Sequence, residues 1–190
     1  DHSLAVMAGL GDGDVFTTVL TTAPQRAIWL AINLATAILA ASVIAFYQDT
    51  IEKVVALAVL MPIVASMGGI AGTQSLTVLI RAMAMGQIND RTEIWLVRRE
   101  IFVSIINGLI WAFVIAVIAA YWFDDTTLGL IIAFAIIINL ITAGIAGASL
   151  PLILDRLRID PALAGGVVLT TITDVVGFFA FLSVAAYFYN

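Results

Sequence analysis

One carboxylate stands where lipid is expected, and its neighbours carry oxygen. Asp174 lies about eleven residues into the last apolar stretch, with Thr170 and Thr171 four and three residues before it and Gly177 three after it. On a helix those offsets share nearly one face. An aspartate at the centre of a membrane-crossing helix costs about 2.5 to 3.5 kcal/mol on insertion scales, so its presence there points to an ion or substrate path. A hard carboxylate oxygen, hydroxyls one turn away and a bare glycine patch suit a cation or its water shell. The competing reading is an aspartate kept neutral by burial, or one hydrogen-bonded to a neighbouring helix.

A second constellation runs from Met61 to Ser75 as Met-Pro-Ile-Val-Ala-Ser-Met-Gly-Gly-Ile-Ala-Gly-Thr-Gln-Ser. Pro62 with Gly68, Gly69 and Gly72 predicts a helix broken inside the membrane. Freed carbonyls there, with the side chains of Ser66, Thr73, Gln74 and Ser75, could coordinate or dehydrate a cation. A kinked helix packed against its neighbours would use the same residues. Asn107 and Asn139, single amides in apolar surroundings, are read as interhelical hydrogen-bonding groups.

These residues need elements that cross a bilayer, and the composition supplies them. Of 190 residues, 63% are hydrophobic and 11% charged, too few polar groups to cover a water-soluble domain of this size. The apolar residues come in long runs that are apolar on every face, which predicts an all-α polytopic protein and sets aside a β-barrel of alternating strands. Five spans are expected, at about Ala27 to Tyr47, Val54 to Met85, Ile101 to Trp122, Leu128 to Leu154 and Leu163 to Phe188. Residues 1–24 are rich in Gly, Asp and Thr and read as a juxtamembrane segment, leaving residues 25–190 as the membrane domain. No basic stretch or cleavage site precedes the first apolar run, so the sequence reads as a membrane domain with an upstream part missing.

Charge then orients the spans. Arg26, Arg81, Arg91, Arg98, Arg99, Arg156 and Arg158 all fall on one side of a five-span topology, with only Lys53 opposite. The positive-inside rule places the N-terminus in the cytoplasm and the C-terminus outside. Small residues crowd the fourth span at Ala143, Gly144, Ala146, Gly147, Ala148 and Ser149. They serve close helix packing, within one protomer or between two.

Several classes of function are disfavoured. With no cysteine there is no thiol chemistry, and a net charge of -5 without a basic cluster gives nothing to track nucleic acid. The sole histidine, His2, lies in the juxtamembrane segment, and neither G-x-S-x-G nor H-E-x-x-H occurs, so no catalytic residue and no enzyme is expected.

Met61 to Gln74, together with Asp160-Pro161-Ala162 and the run Thr170-Thr171-Ile172-Thr173-Asp174-Val175-Val176-Gly177, resembles the membrane domain of MgtE-type magnesium transporters. The resemblance covers nearly the whole chain. It implies a five-helix unit that forms a homodimer in a cell membrane, bacterial or archaeal, with a pore on the dimer axis between the second and fifth spans of both copies. It further implies N-terminal and CBS-type cytoplasmic regulatory domains upstream, with residues 1–24 resembling the tail of the connecting helix. By position, Asp174 matches the family's pore aspartate, and Thr170 matches a residue whose carbonyl faces the ion. Gly68, Gly69, Gly72, Thr73, Gln74, Thr171 and Gly177 are the further pore-lining candidates. Magnesium is the expected cargo, with Mn2+ or Co2+ as other possibilities, because an oxygen-only site imposes no strict selectivity. The chain departs from the family at Ile70 and Gly166, where Asn is found in relatives, so two groups that could hold pore waters are missing.

The leading expectation is therefore a dimeric divalent cation channel or transporter. A proton- or sodium-coupled divalent cation exchanger is the alternative. A membrane anchor or assembly scaffold that has lost its flux is a third reading, from a different class.

Overall fold

A computed structural model describes residues 16–190. The features expected on residues 1–15, His2 among them, lie outside the described residues. The rest folds as six helices: α1 (Val19–Phe46), α2 (Gln48–Lys53), α3 (Ala56–Ala84), α4 (Asp90–Phe123), α5 (Thr126–Arg156) and α6 (Pro161–Tyr189). All but the short α2 are long and apolar enough to cross a membrane.

Local chemistry explains where the helices begin. Asn89 caps α4 reciprocally: its side chain accepts the amides of Arg91 and Thr92 at 3.0 Å, and its own amide donates to Thr92 Oγ1 at 2.8 Å. Asp125 caps α5 by accepting from the Leu128 amide at 3.2 Å. Asp160 caps α6 through the Ala162 amide at 3.0 Å, and Pro161 supplies the preset φ of a first helical residue.

Hydropathy located the spans but not every helix end. The cap at Asn89 starts α4 eleven residues before the expected Ile101, so its 34 residues reach about 51 Å, well beyond a hydrocarbon core of about 30 Å. Residues 90–100 belong to the same helix because a helix is set by its cap, whereas hydropathy marks only the part in lipid. Likewise α1 starts at Val19, which puts Pro24 inside the helix and not at its edge. The expected break in the second span does not occur, and α3 runs unbroken through Pro62 and all three glycines. Lipid offers a freed amide or carbonyl no substitute partner, so a helix there keeps its internal ladder despite residues that would interrupt it in water.

The bundle is organised around α5, whose buried residues run from Leu128 to Leu154 and include Asn139, Gly144 and Gly147. It packs against α3, α4 and α6, and α3 also packs against α6. α1 is peripheral: only Ala40 is buried, and the helix leans mainly on α6, where Tyr47 meets Phe179 edge to face at 6.3 Å. The small residues of the fourth span serve packing inside the protomer. A Cβ on Gly144 would overlap the Ser104 hydroxyl of α4, and one on Gly147 would lie 2.6 Å from the Gly72 carbonyl of α3.

Candidate functional site

The seam between α3 and α6 is built from glycines. A Cβ on Gly72 would reach Leu169 of α6 at 2.8 Å, one on Gly165 would reach Leu76 of α3 at 3.1 Å, and one on Gly177 would reach Val64 of α3 at 2.9 Å. Each glycine thus makes room for a side chain of the facing helix, and the pairs recur along several turns. Asn139 closes the seam from the α5 side; its Nδ2 donates to the Val64 carbonyl at 3.0 Å, which is the interhelical bond expected of an intramembrane amide.

This geometry divides the expected site residues into two sets. Gly68, Gly72 and Gly177, expected among the pore-lining positions, instead face inward: all three are buried, and any side chain there would strike Asn139, Leu169 or Val64. Their lack of a Cβ serves helix contact. Gly69 and Gly166 face open space, Thr73, Gln74 and Thr170 are exposed, and Asp174 and Thr171 are half-buried.

On α6, Gly166, Thr170 and Asp174 recur at intervals of four and follow one helix face. Among the described residues, the Asp174 carboxylate makes no hydrogen bond or ion pair. The Thr170 carbonyl accepts the hydroxyl of the buried Thr173 at 3.1 Å, and Thr171 donates to the Val167 carbonyl at 2.7 Å. On α3, Thr73 donates to the Gly69 carbonyl and Thr77 to the Thr73 carbonyl, both at 2.8 Å. With their protons spent on backbone, the hydroxyl oxygens of Thr73, Thr77 and Thr171 keep lone pairs that can accept from the water shell of a cation, whereas Thr173 is fully buried. No three acidic or histidine side chains cluster as a metal cage among the described residues.

A polar feature that sequence reasoning missed lies on the other flank of α3. Because α3 and α4 both lean on α5 and scarcely touch each other, a cleft of ≈ 440 Å³ opens between them, lined in part by Ile70, Gln74, Ser75, Glu100, Asn107 and Trp111. Glu100 is buried at its edge; Oε2 accepts the Ser75 hydroxyl at 2.9 Å and Oε1 pairs with Arg99 at 2.8 Å. Starting the third span at Ile101 left Glu100 in a connection. The available signal was its place at the head of Ser104, Gly108 and Ala112, an i, i+4 stripe of small residues that the structure buries. Ser75→Ala would leave a buried carboxylate oxygen short of its donor, so we expect it to lower stability by about 1–3 kcal/mol, read as a fall in the thermal midpoint in detergent.

Comparison with known proteins gives concordant matches. Residues 61–184 match the family MgtE, described as divalent cation transporter. The chain is 33% identical over 189 residues to the magnesium transporter MgtE of Bacillus subtilis, covering 99% of this chain and 42% of that protein. The magnesium transporter MgtE of Thermus thermophilus is 32% identical over 182 residues, covering 93% of the chain and 40% of the relative. That of Enterococcus faecalis is 29% identical over 182 residues, covering 96% and 40%. The chain thus spans about two fifths of the length of these relatives.

Proposed function

Because the chain belongs to the MgtE family of divalent cation transporters, we propose that it forms a dimeric pore that passes a divalent cation, magnesium first, with Asp174 as its recognition centre. The observation that carries this reading is the Asp174 carboxylate, half-buried near the middle of a membrane-crossing helix and without a partner among the described residues of its own protomer. A charge so placed is costly unless something compensates it. A second copy would bring a second Asp174, and two facing carboxylates that repel when empty balance a divalent ion.

Magnesium gives up its waters reluctantly, so the ion is recognised largely hydrated. Its waters donate to the carboxylates and to oxygens on the open faces of the two helices: Gly69 and Thr73 on α3, Thr170 and Thr171 on α6. Thr170 contributes through its carbonyl, whose position is steadied by the Thr173 hydroxyl. The arginine asymmetry supports a cytoplasmic N-terminal side, with the seven arginines facing the cytoplasm. The segment before α1 leads to cytoplasmic regulatory domains of the CBS type, a reading supported by the chain's two-fifths share of its relatives.

An inside-negative potential of 100 mV gives a divalent ion about 4.6 kcal/mol, enough to drive entry with no second gradient. The test is magnesium influx into liposomes carrying the purified chain, with the potential set by a potassium gradient. Influx is expected to follow the potential at equal pH and sodium on both sides. Flux that ignores voltage and follows a proton or sodium gradient would replace the pore by an exchanger, and no flux under either condition would leave only a scaffold.

A further inference from the structure

The three elements α3, α5 and α6 meet at one polar side chain. Asn139 of α5 has no exposed surface, and it is wedged where α3 and α6 cross: a Cβ on Gly68 would overlap its amide, and one on Gly177 would come within 2.7 Å of Nδ2. Nδ2 donates to the Val64 carbonyl, and the opposite amide orientation would set oxygen against oxygen, so the assignment is fixed by its partner. Oδ1 is buried and has no hydrogen-bond partner among the described residues.

This is a poor design for holding helices together. The Val64 carbonyl already has the amide of Gly68 as its helical partner, so the Asn139 bond is a second one on the same oxygen. A leucine of similar branched shape would fill the space and leave no orphaned acceptor. What asparagine supplies that leucine does not is a directional link from α5 to one carbonyl of α3, one turn before the glycines. On α6 it bears on Gly177, three residues beyond Asp174 and therefore on the adjoining turn.

We propose that Asn139 is a positioning residue: it fixes the separation of α3 and α6 at the level of Asp174, and so sets how the pore discriminates among hydrated divalent ions. The inference rests on the pore reading above. Because interhelical shifts of about 1–2 Å are enough to repack a site, a small change of spacing alters discrimination without touching any ion-facing group.

The test uses Asn139→Leu and Asn139→Ala in the full chain, with two readouts. In liposomes the ratio of magnesium to calcium influx is measured against wild type. Separately, Val59→Cys and Phe179→Cys, at exposed positions on α3 and α6 in a sequence without native cysteine, carry spin labels whose separation is read by pulsed EPR. Asn139→Leu is expected to keep or raise the thermal midpoint, move the label distance by about 1 Å or more, and change the influx ratio by about fivefold, the equivalent of one buried hydrogen bond. Asn139→Ala, which leaves a void, serves if the leucine variant fails to assemble, with the same shifts expected. A conducting wild type whose Asn139 variants keep both the ratio and the distance overturns the positioning role. So does a loss of flux that merely follows the loss of folded protein at an unchanged ratio. A wild type that conducts no divalent ion at all overturns the pore reading instead, and the two failures are thereby told apart.

Discussion

Asp174→Ala is expected to reduce magnesium influx by at least about 100-fold while leaving the five-span bundle as stable as before. Each carboxylate of a facing pair attracts a divalent ion by about 6–7 kcal/mol at a separation of about 5 Å and an effective dielectric of about 20. Desolvation and the ion's own water shell offset most of that attraction. A residual of about 3 kcal/mol per site already exceeds a factor of about 100. Stability should not fall, because Asp174 has no partner among the described residues of its protomer to lose, and removing a half-buried charge from a membrane helix is favourable by itself. Asp174→Asn sharpens the experiment: it keeps the volume and the hydrogen-bonding capacity and removes only the charge. Influx in liposomes, normalised to the monodisperse protein recovered in detergent, is the measurement. Magnesium flux in either variant comparable to wild type would remove Asp174 from the pathway, and with it the observation on which the proposed function rests.

The residue types around Asp174 were readable as chemistry, while the faces they occupy were only partly so. Gly68, Gly69 and Gly72 form one motif in the sequence, yet Gly68 and Gly72 meet Asn139 and Leu169 whereas Gly69 looks into open space. Residues 68 and 72 share a helix face, and residue 69 is turned about 100° from the first. Periodicity can separate them. It cannot say which face meets a neighbouring helix, since in this chain every face is apolar and no solvent side marks the outside. Glu100 illustrates a second limit. Hydropathy assigned it to a connection, but burial here is set by α5 lying across α3 and α4, a long-range arrangement with no local trace beyond the small-residue stripe after it. The unbroken α3 is a third case, in which propensities learned in water gave way to the absence of competing hydrogen-bond partners in lipid. What local chemistry did settle was the boundaries with strong caps, at Asn89, Asp125 and Asp160.

The same division of glycines yields the second large effect, this one on packing. Gly147→Val is expected to cost about 3 kcal/mol, at the upper end of overpacking penalties, and to abolish flux along with stability. The nearest atom to an added Cβ is the Gly72 carbonyl oxygen at 2.6 Å, followed by Ser75 Cβ at 2.9 Å, so the obstruction is backbone and cannot swing aside as a side-chain tip would. α3 and α5 must separate by an ångström or more, and α3 carries both the Thr73 face of the proposed pore and the Ser75 link to Glu100. Gly69→Ala and Gly166→Ala make the same chemical change where nothing lies within 4 Å, and they should leave the thermal midpoint within error of wild type. Thermal unfolding of the purified variants in detergent, read beside influx at matched protein recovery, separates this route from that of Asp174→Ala. One loses flux because the helices no longer meet, the other because they meet around a missing charge. A Gly147→Val protein with an unchanged midpoint would mean that α3 and α5 do not approach at backbone distance, and the inward assignment of Gly72 would fall with it.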